Sequence, residues 1–240
     1  VLSDRNEYHR ERFAGYAPLR GRSFRRAIEL GCGPFTNMRL ILEHCRAERI
    51  HLLDPLIEDY LRHPACRYRG GRLGGLAQLR PAQLPAAARR PLGFLAAAAN
   101  AVRVGGLRGR PVVLEPAPIE GFQTDHRFDL VVMINVLEHC RDAGAVLDKI
   151  LQISAPGGVF VFHDVLYDAE ELRRTLSTSY DAGHPLRVAQ PVLREFLGRH
   201  FEPLMSAEYR VAQTFRGAVL DRRELYYIGV RRAAGAAEER

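Results

Sequence analysis

Lysine is almost missing from this chain: Lys149 is the single one among 35 basic residues. The formal net charge of +7 is therefore carried by arginine. Those arginines are scattered rather than interleaved with aromatics on one segment, so nucleic acid is not expected as a partner. Alanine tracts at 86–88 and 96–99 accompany the arginine bias and point to a GC-rich bacterial genome. Cysteine is sparse too. Cys32, Cys45, Cys66 and Cys140 show no C-x-x-C spacing, which excludes a disulfide scaffold, and His63-x-x-Cys66 alone is too little for zinc. No stretch approaches the roughly 18 apolar residues of a membrane span. Residues 1–30 carry Asp4, Glu7 and several arginines, unlike a secretory signal, and the expected location is the cytoplasm.

What remains is a chain of 240 residues, 47% hydrophobic and 26% charged, able to bury a sizeable core as one large domain. Residues 1–20 read as an N-terminal helical cover, with Tyr8, Phe13 and Tyr16 as its apolar side. A strand, Phe24–Leu30, runs into the turn Gly31-Cys32-Gly33-Pro34, and Thr36 or Asn37 is the expected cap of the helix that follows. The next apolar run, Ile50–Leu53, stops at Asp54-Pro55. Residues 64–110 are rich in Gly, Ala, Pro and Arg and read as an insertion between strands 2 and 3. Phe128–Ile134 is continuously apolar apart from Asp129, as expected of a parallel strand buried on both faces. Asp142 caps a helix, Pro156-Gly157-Gly158 turns into the strand Val159–Phe162, and two last strands lie near Leu204–Arg210 and Leu225–Arg231. Strands and helices alternate throughout, which gives an α/β doubly wound sheet.

The glycine turn and Asp54 have the chemistry of a nucleotide site. Glycines let main chain approach a ligand at a helix N-terminus, and an acid at the tip of the second strand accepts hydrogen bonds from both ribose hydroxyls. A tight strand-to-helix turn alone explains the glycines, but not the acid at that offset. Thr36 stands where the dinucleotide fingerprint needs its third glycine, and no G-x-x-x-x-G-K-[ST] loop exists, so nicotinamide and P-loop readings lose ground.

The chain resembles the class I S-adenosylmethionine-dependent methyltransferases over nearly its whole length. The resemblance rests on Glu29-Leu30-Gly31-Cys32-Gly33, on Asp54, and on Phe128–Val132 followed by Asn135-Val136-Leu137-Glu138-His139. It rests also on Ala155-Pro156-Gly157-Gly158 and on Leu225–Val230, similar to the family's last antiparallel strand. It implies a seven-stranded sheet of order 3-2-1-4-5-7-6, strand 7 antiparallel, with helices on both faces. It implies S-adenosylmethionine as cofactor and S-adenosylhomocysteine as product. Glu29, Gly31, Cys32 and Gly33 would line the methionine end, with Asn135 beside it. Asp54 would hold the ribose, Pro55 and Leu56 the adenine face, and the backbone near Ile119 the adenine edge. Two residues depart from the pattern: Phe35 replaces the family's third glycine, and Pro118 stands where an acid often precedes the adenine contact.

Methyl transfer demands alignment and a nucleophile with a free lone pair, and a hydroxyl or protonated amine needs a base as well. His184, in the Gly183-His184-Pro185 loop, is the first choice for that base, with His139 and His163 as the others. A metal site from His163, Asp164 and His184 is a further arrangement, but the expectation is a metal-free enzyme. The expected partner is a small-molecule acceptor, a specialised metabolite methylated at oxygen or nitrogen, and two copies of the chain could pair as a homodimer. RNA or protein methylation and a non-catalytic cofactor-binding subunit are the alternatives.

Overall fold

The computed structural model describes residues 4–62, 66, 112–178, 183–215 and 218–233. Apart from Cys66, the expected insertion at 64–110 lies outside the described residues, as do residues 234–240. Seven strands form one sheet: β1 (Ser23–Leu30), β2 (Arg46–Leu53), β3 (Val112–Glu115), β4 (Phe128–Ile134), β5 (Ser154–Leu166), β6 (Phe201–Phe215) and β7 (Ala218–Arg231). Their order is β3-β2-β1-β4-β5-β7-β6. Strands β1 to β5 pair parallel, and β7 runs antiparallel to both β5 and β6, as the family resemblance implied.

Burial explains the arrangement. From Leu130 to Met133, β4 is 0% exposed, so both its faces must be covered. On one face the core gathers Phe13, Tyr16, Met38, Ile41, Val132 and Tyr226. This is the side of α1 (Asn6–Arg12), the 3-10 segment Ala14–Leu19 and α2 (Met38–Ile41). The short α3 (Ile57–Tyr60) follows β2. On the other face Phe160, Phe162 and Phe201 meet α4 (Ala143–Ile153) and α6 (Gln190–His200) through Val146, Ile150, Leu193 and Leu197. Helix α5 (Ala169–Thr178) follows β5.

Local chemistry departs from expectation in three places. The cap of α2 is shared: Thr36 Oγ1 accepts from Met38 N–H at 3.3 Å, Asn37 makes no side-chain cap bond, and the buried Glu29 carboxylate accepts from the Asn37 and Met38 N–H groups. By contrast, Asp142 does cap α4, accepting from the Ala145 N–H at 3.0 Å. Pro156-Gly157-Gly158 lies within the bounds of β5, at a bulge where the pairing shifts from Phe128↔Ser154 to Leu130↔Val159. The last hairpin is far longer than two short strands: β6 and β7 pair from Phe201↔Arg231 to Phe215↔Ala218, well beyond the end of β5.

Candidate active site

The parallel strands bring their C-terminal ends together, where an α/β sheet of this kind presents its ligand crevice. After β1, Gly31 (φ +66°) and Gly33 (φ +54°) adopt left-handed backbone, and the Gly31 N–H donates to the Leu53 carbonyl at 2.7 Å. That bond draws the loop against the end of β2. There the buried Asp54 carboxylate accepts from Gly33 N–H at 3.0 Å and Leu56 N–H at 2.8 Å. Burial raises the Asp54 carboxyl, and those two N–H groups oppose the rise. Each oxygen keeps a lone pair for a further donor.

Glu29, expected at the methionine end of the cofactor, is held by four donors of its own protein. Its carboxylate, 1% exposed, accepts from Asn37 N–H at 2.8 Å, Asn37 Nδ2 at 3.0 Å, Met38 N–H at 3.3 Å and the Thr36 hydroxyl. It fastens the glycine loop to the start of α2. Cys32 is buried in the same loop.

Pro55 and Leu56 sit exposed at the lip beside Asp54, Leu56 at 50%. Tyr60, which sequence reasoning missed, lies within electrostatic reach of Asp54 and Cys32, and burial pushes its hydroxyl up to about 12. Ile119 turns its side chain into the core, so only its main chain is available to a ligand. Glu120 closes that side by accepting from Arg141 N–H at 2.8 Å.

At the end of β4, Asn135 takes a left-handed conformation (φ +59°), which asparagine tolerates better than most residues, and its N–H donates to the His163 carbonyl at 3.0 Å. The chain then enters the 3-10 turn Leu137–His139. Asp164 fixes this turn by accepting from Leu137 N–H at 3.0 Å and Val165 N–H at 2.7 Å. Complete burial, with Glu138 nearby, lifts the Asp164 carboxyl to about 8.

The histidines sort into two groups. His139 and His184 lie together, ring centroids 4.5 Å apart. His139 Nδ1 is 2.6 Å from the Gly183 carbonyl, and His184 Nε2 is 3.7 Å from Glu138 Oε1. Arg222 holds the other Glu138 oxygen at 3.0 Å. The expected grouping of His163, Asp164 and His184 is not the one found: among the described residues the metal-type cluster is Glu138, His139 and His184.

His163 belongs to the second group and is 0% exposed beneath α1. The β5–β7 register sets it opposite Tyr226 and diagonal to Glu224 on one face. Its Nε2 stands 3.6 Å from Glu224 Oε2, and neither ring nitrogen has a hydrogen-bond partner. The same carboxylate oxygen accepts from the hydroxyls of Tyr8 and Tyr226, each at 3.1 Å. Because Tyr226 spends its proton on Glu224, its oxygen accepts from His9 Nδ1–H at 3.1 Å. Burial lowers both imidazoles, His9 to about 3. Burial pushes Glu224 the other way, but its contacts with His163 and the two tyrosines outweigh this and hold it below the ordinary glutamate range. The sequence placed Tyr8 in the N-terminal cover; Glu224 and Tyr226 gave no signal of this cluster, because only strand register places them here. The cover is also pinned to the glycine loop, since Asn6 Nδ2 donates to the Phe35 and Thr36 carbonyls.

Comparison with known proteins agrees with this geometry. A family model described as a methyltransferase domain matches residues 3–206. A methyltransferase from Bacillus halodurans, itself described as putative, has the same fold at TM-score 0.58 and 12% identity, covering 92% of this chain and 97% of that one. The N-methyltransferase NodS from Bradyrhizobium japonicum, solved with S-adenosylhomocysteine, aligns at TM-score 0.51 and 17% identity over 94% of this chain and 86% of its own. A 1,6-didemethyltoxoflavin-N1-methyltransferase from Burkholderia thailandensis aligns at 0.50 and 16% over 95% and 78%. No protein of curated function matches. The family match over most of the chain, with this sheet order and glycine loop, places the protein among the class I S-adenosylmethionine-dependent methyltransferases.

Proposed function

We propose that this enzyme methylates an oxygen or nitrogen of a small specialised metabolite, with His163 taking the acceptor's proton. The residues present fit the cofactor. A Cβ on Gly33 would meet nothing within 4 Å, so the loop offers open space, and Asp54 stands beside it with lone pairs to spare. When bound, S-adenosylmethionine supplies a sulfonium-linked methyl group that is lost by in-line displacement. Asp54 holds the ribose hydroxyls, the Gly31–Gly33 main chain lines the methionine end, and Glu29 keeps that loop in shape from behind.

The observation that carries the choice of base is the His163–Glu224 pair, whose His163 main-chain carbonyl accepts from Asn135 N–H. A neutral imidazole with unsatisfied nitrogens accepts a proton, and the adjacent carboxylate stabilises the imidazolium that forms. Helix α1 covers the pair through Tyr8 and His9, and in this reading the cover parts to admit the acceptor. His184, the first choice from sequence, points Nε2 at Glu138, and His139 is tied to Gly183. The fold likeness to two enzymes named for methylation at nitrogen is in keeping with transfer to nitrogen.

The test is methyl transfer to a panel of amines, phenols and alcohols, read by mass spectrometry. His163→Gln should lower turnover about a hundredfold or more while S-adenosylhomocysteine affinity holds. Unchanged turnover removes His163 from the mechanism.

A further inference from the structure

Glu138, His139 and His184 form a constellation that proton transfer at His163 does not use, and we propose that it is a binding site for a divalent transition-metal ion of the zinc type. Each residue offers a ligand atom, and these atoms all lie within 4.8 Å of one another. Tetrahedral zinc, with bonds of about 2.0–2.1 Å, needs ligand atoms roughly 3.3 Å apart. His184 Nε2 and Glu138 Oε1 are already at 3.7 Å. The remaining contraction is at most about 1.5 Å, within reach of the two imidazoles, which both have exposed surface.

The surrounding contacts are those a metal site requires. His139 Nδ1–H donates to the Gly183 carbonyl, which leaves the lone pair on Nε2; a ligating histidine is held in this way by its other nitrogen. Glu138, 4% exposed, has Oε2 bound by Arg222, and Arg222 is steadied in turn by the Tyr167 hydroxyl at 3.3 Å. That leaves Oε1 turned toward His184. The two chain segments are fastened together as well, since Leu186 N–H donates to the Glu138 carbonyl at 3.2 Å.

Two imidazoles and one carboxylate suit zinc and its neighbours, not the all-oxygen shells of magnesium or calcium. Three protein ligands leave a coordination position open, as in exchangeable rather than closed structural sites. The ion would brace the loop before α6 against the turn after β4, on the side of the crevice where His139 lies within electrostatic reach of Asp54. Metal binding goes beyond the methyl-transfer reading and does not depend on it.

The experiment is calorimetric titration of the full chain, stripped with chelator, using zinc chloride alone. The proposal expects one ion per chain, with Glu138→Gln and His184→Ala each weakening binding about tenfold or more. The four cysteine thiols are the competing ligands. X-ray absorption of the zinc-loaded wild type separates them, and needs no variant to fold: nitrogen and oxygen at about 2.0–2.1 Å support the site, and sulfur at about 2.3 Å overturns it. Failure to bind zinc in the micromolar range, or equal affinity in both folded variants, also overturns it. Titration of the same wild-type sample with S-adenosylhomocysteine reports the methyltransferase crevice separately, so loss of one reading is not loss of the other.

Discussion

Gly31 lies so close to Val136 that a Cβ there would stand 2.4 Å from Val136 Cγ1. The glycine loop and the turn after β4 therefore touch across the crevice, and one methyl group would part them. Gly31→Ala should cost about 2–4 kcal/mol, from left-handed strain together with overpacking. Adding Val136→Ala should restore the packing share and leave the strain, about 1–2 kcal/mol. Urea unfolding of the two variants checks this; a single variant as stable as wild type would contradict it.

Glu29 satisfies four donors from inside the protein. Glu29→Gln turns one oxygen into a donor facing other donors, and should lower stability by about 1–3 kcal/mol. If Glu29 instead faced the ligand, its replacement would leave the unfolding midpoint unchanged and weaken only cofactor binding.

Asp164 gives the stability a pH dependence of unusual sign. Its carboxyl ordinarily titrates at 3.8 and is lifted to about 8 in the fold. Between those values the native state binds the proton that the unfolded state has lost, so this contribution falls as pH rises through the window. The urea midpoint of the wild type should decline from pH 5 to pH 8 more steeply than that of Asp164→Asn. Parallel profiles would show that Asp164 stays ionised.

Much of this was legible in the sequence, for physical reasons. Phe128–Ile134 declares a strand covered on both faces because apolar residues at nearly every position leave no side for water. Gly31, Gly33 and Asp54 declare a tight turn beside a strand-tip acid, and the structure brings them into contact through the Gly33 N–H. The His163–Glu224 pair was hidden, since only the antiparallel register of β7 against β5 sets Glu224 diagonal to His163. Glu138, His139 and His184 were hidden likewise: His184 reaches the other two through a fold-back that no local pattern encodes. The cap of α2 was half legible: Thr36 does accept from Met38 N–H, but the buried carboxylate from β1 that reaches the same end of the helix leaves no local signal.

The account stands on the crevice between Gly31–Gly33 and Asp54, and calorimetric titration with S-adenosylhomocysteine tests it most directly. Wild-type protein should bind one molecule in the micromolar range, and Asp54→Ala should lose about 1.5–3 kcal/mol of that binding, the worth of charge-assisted hydrogen bonds to the ribose. Absence of binding by folded wild-type protein, or an affinity indifferent to Asp54→Ala, would contradict it.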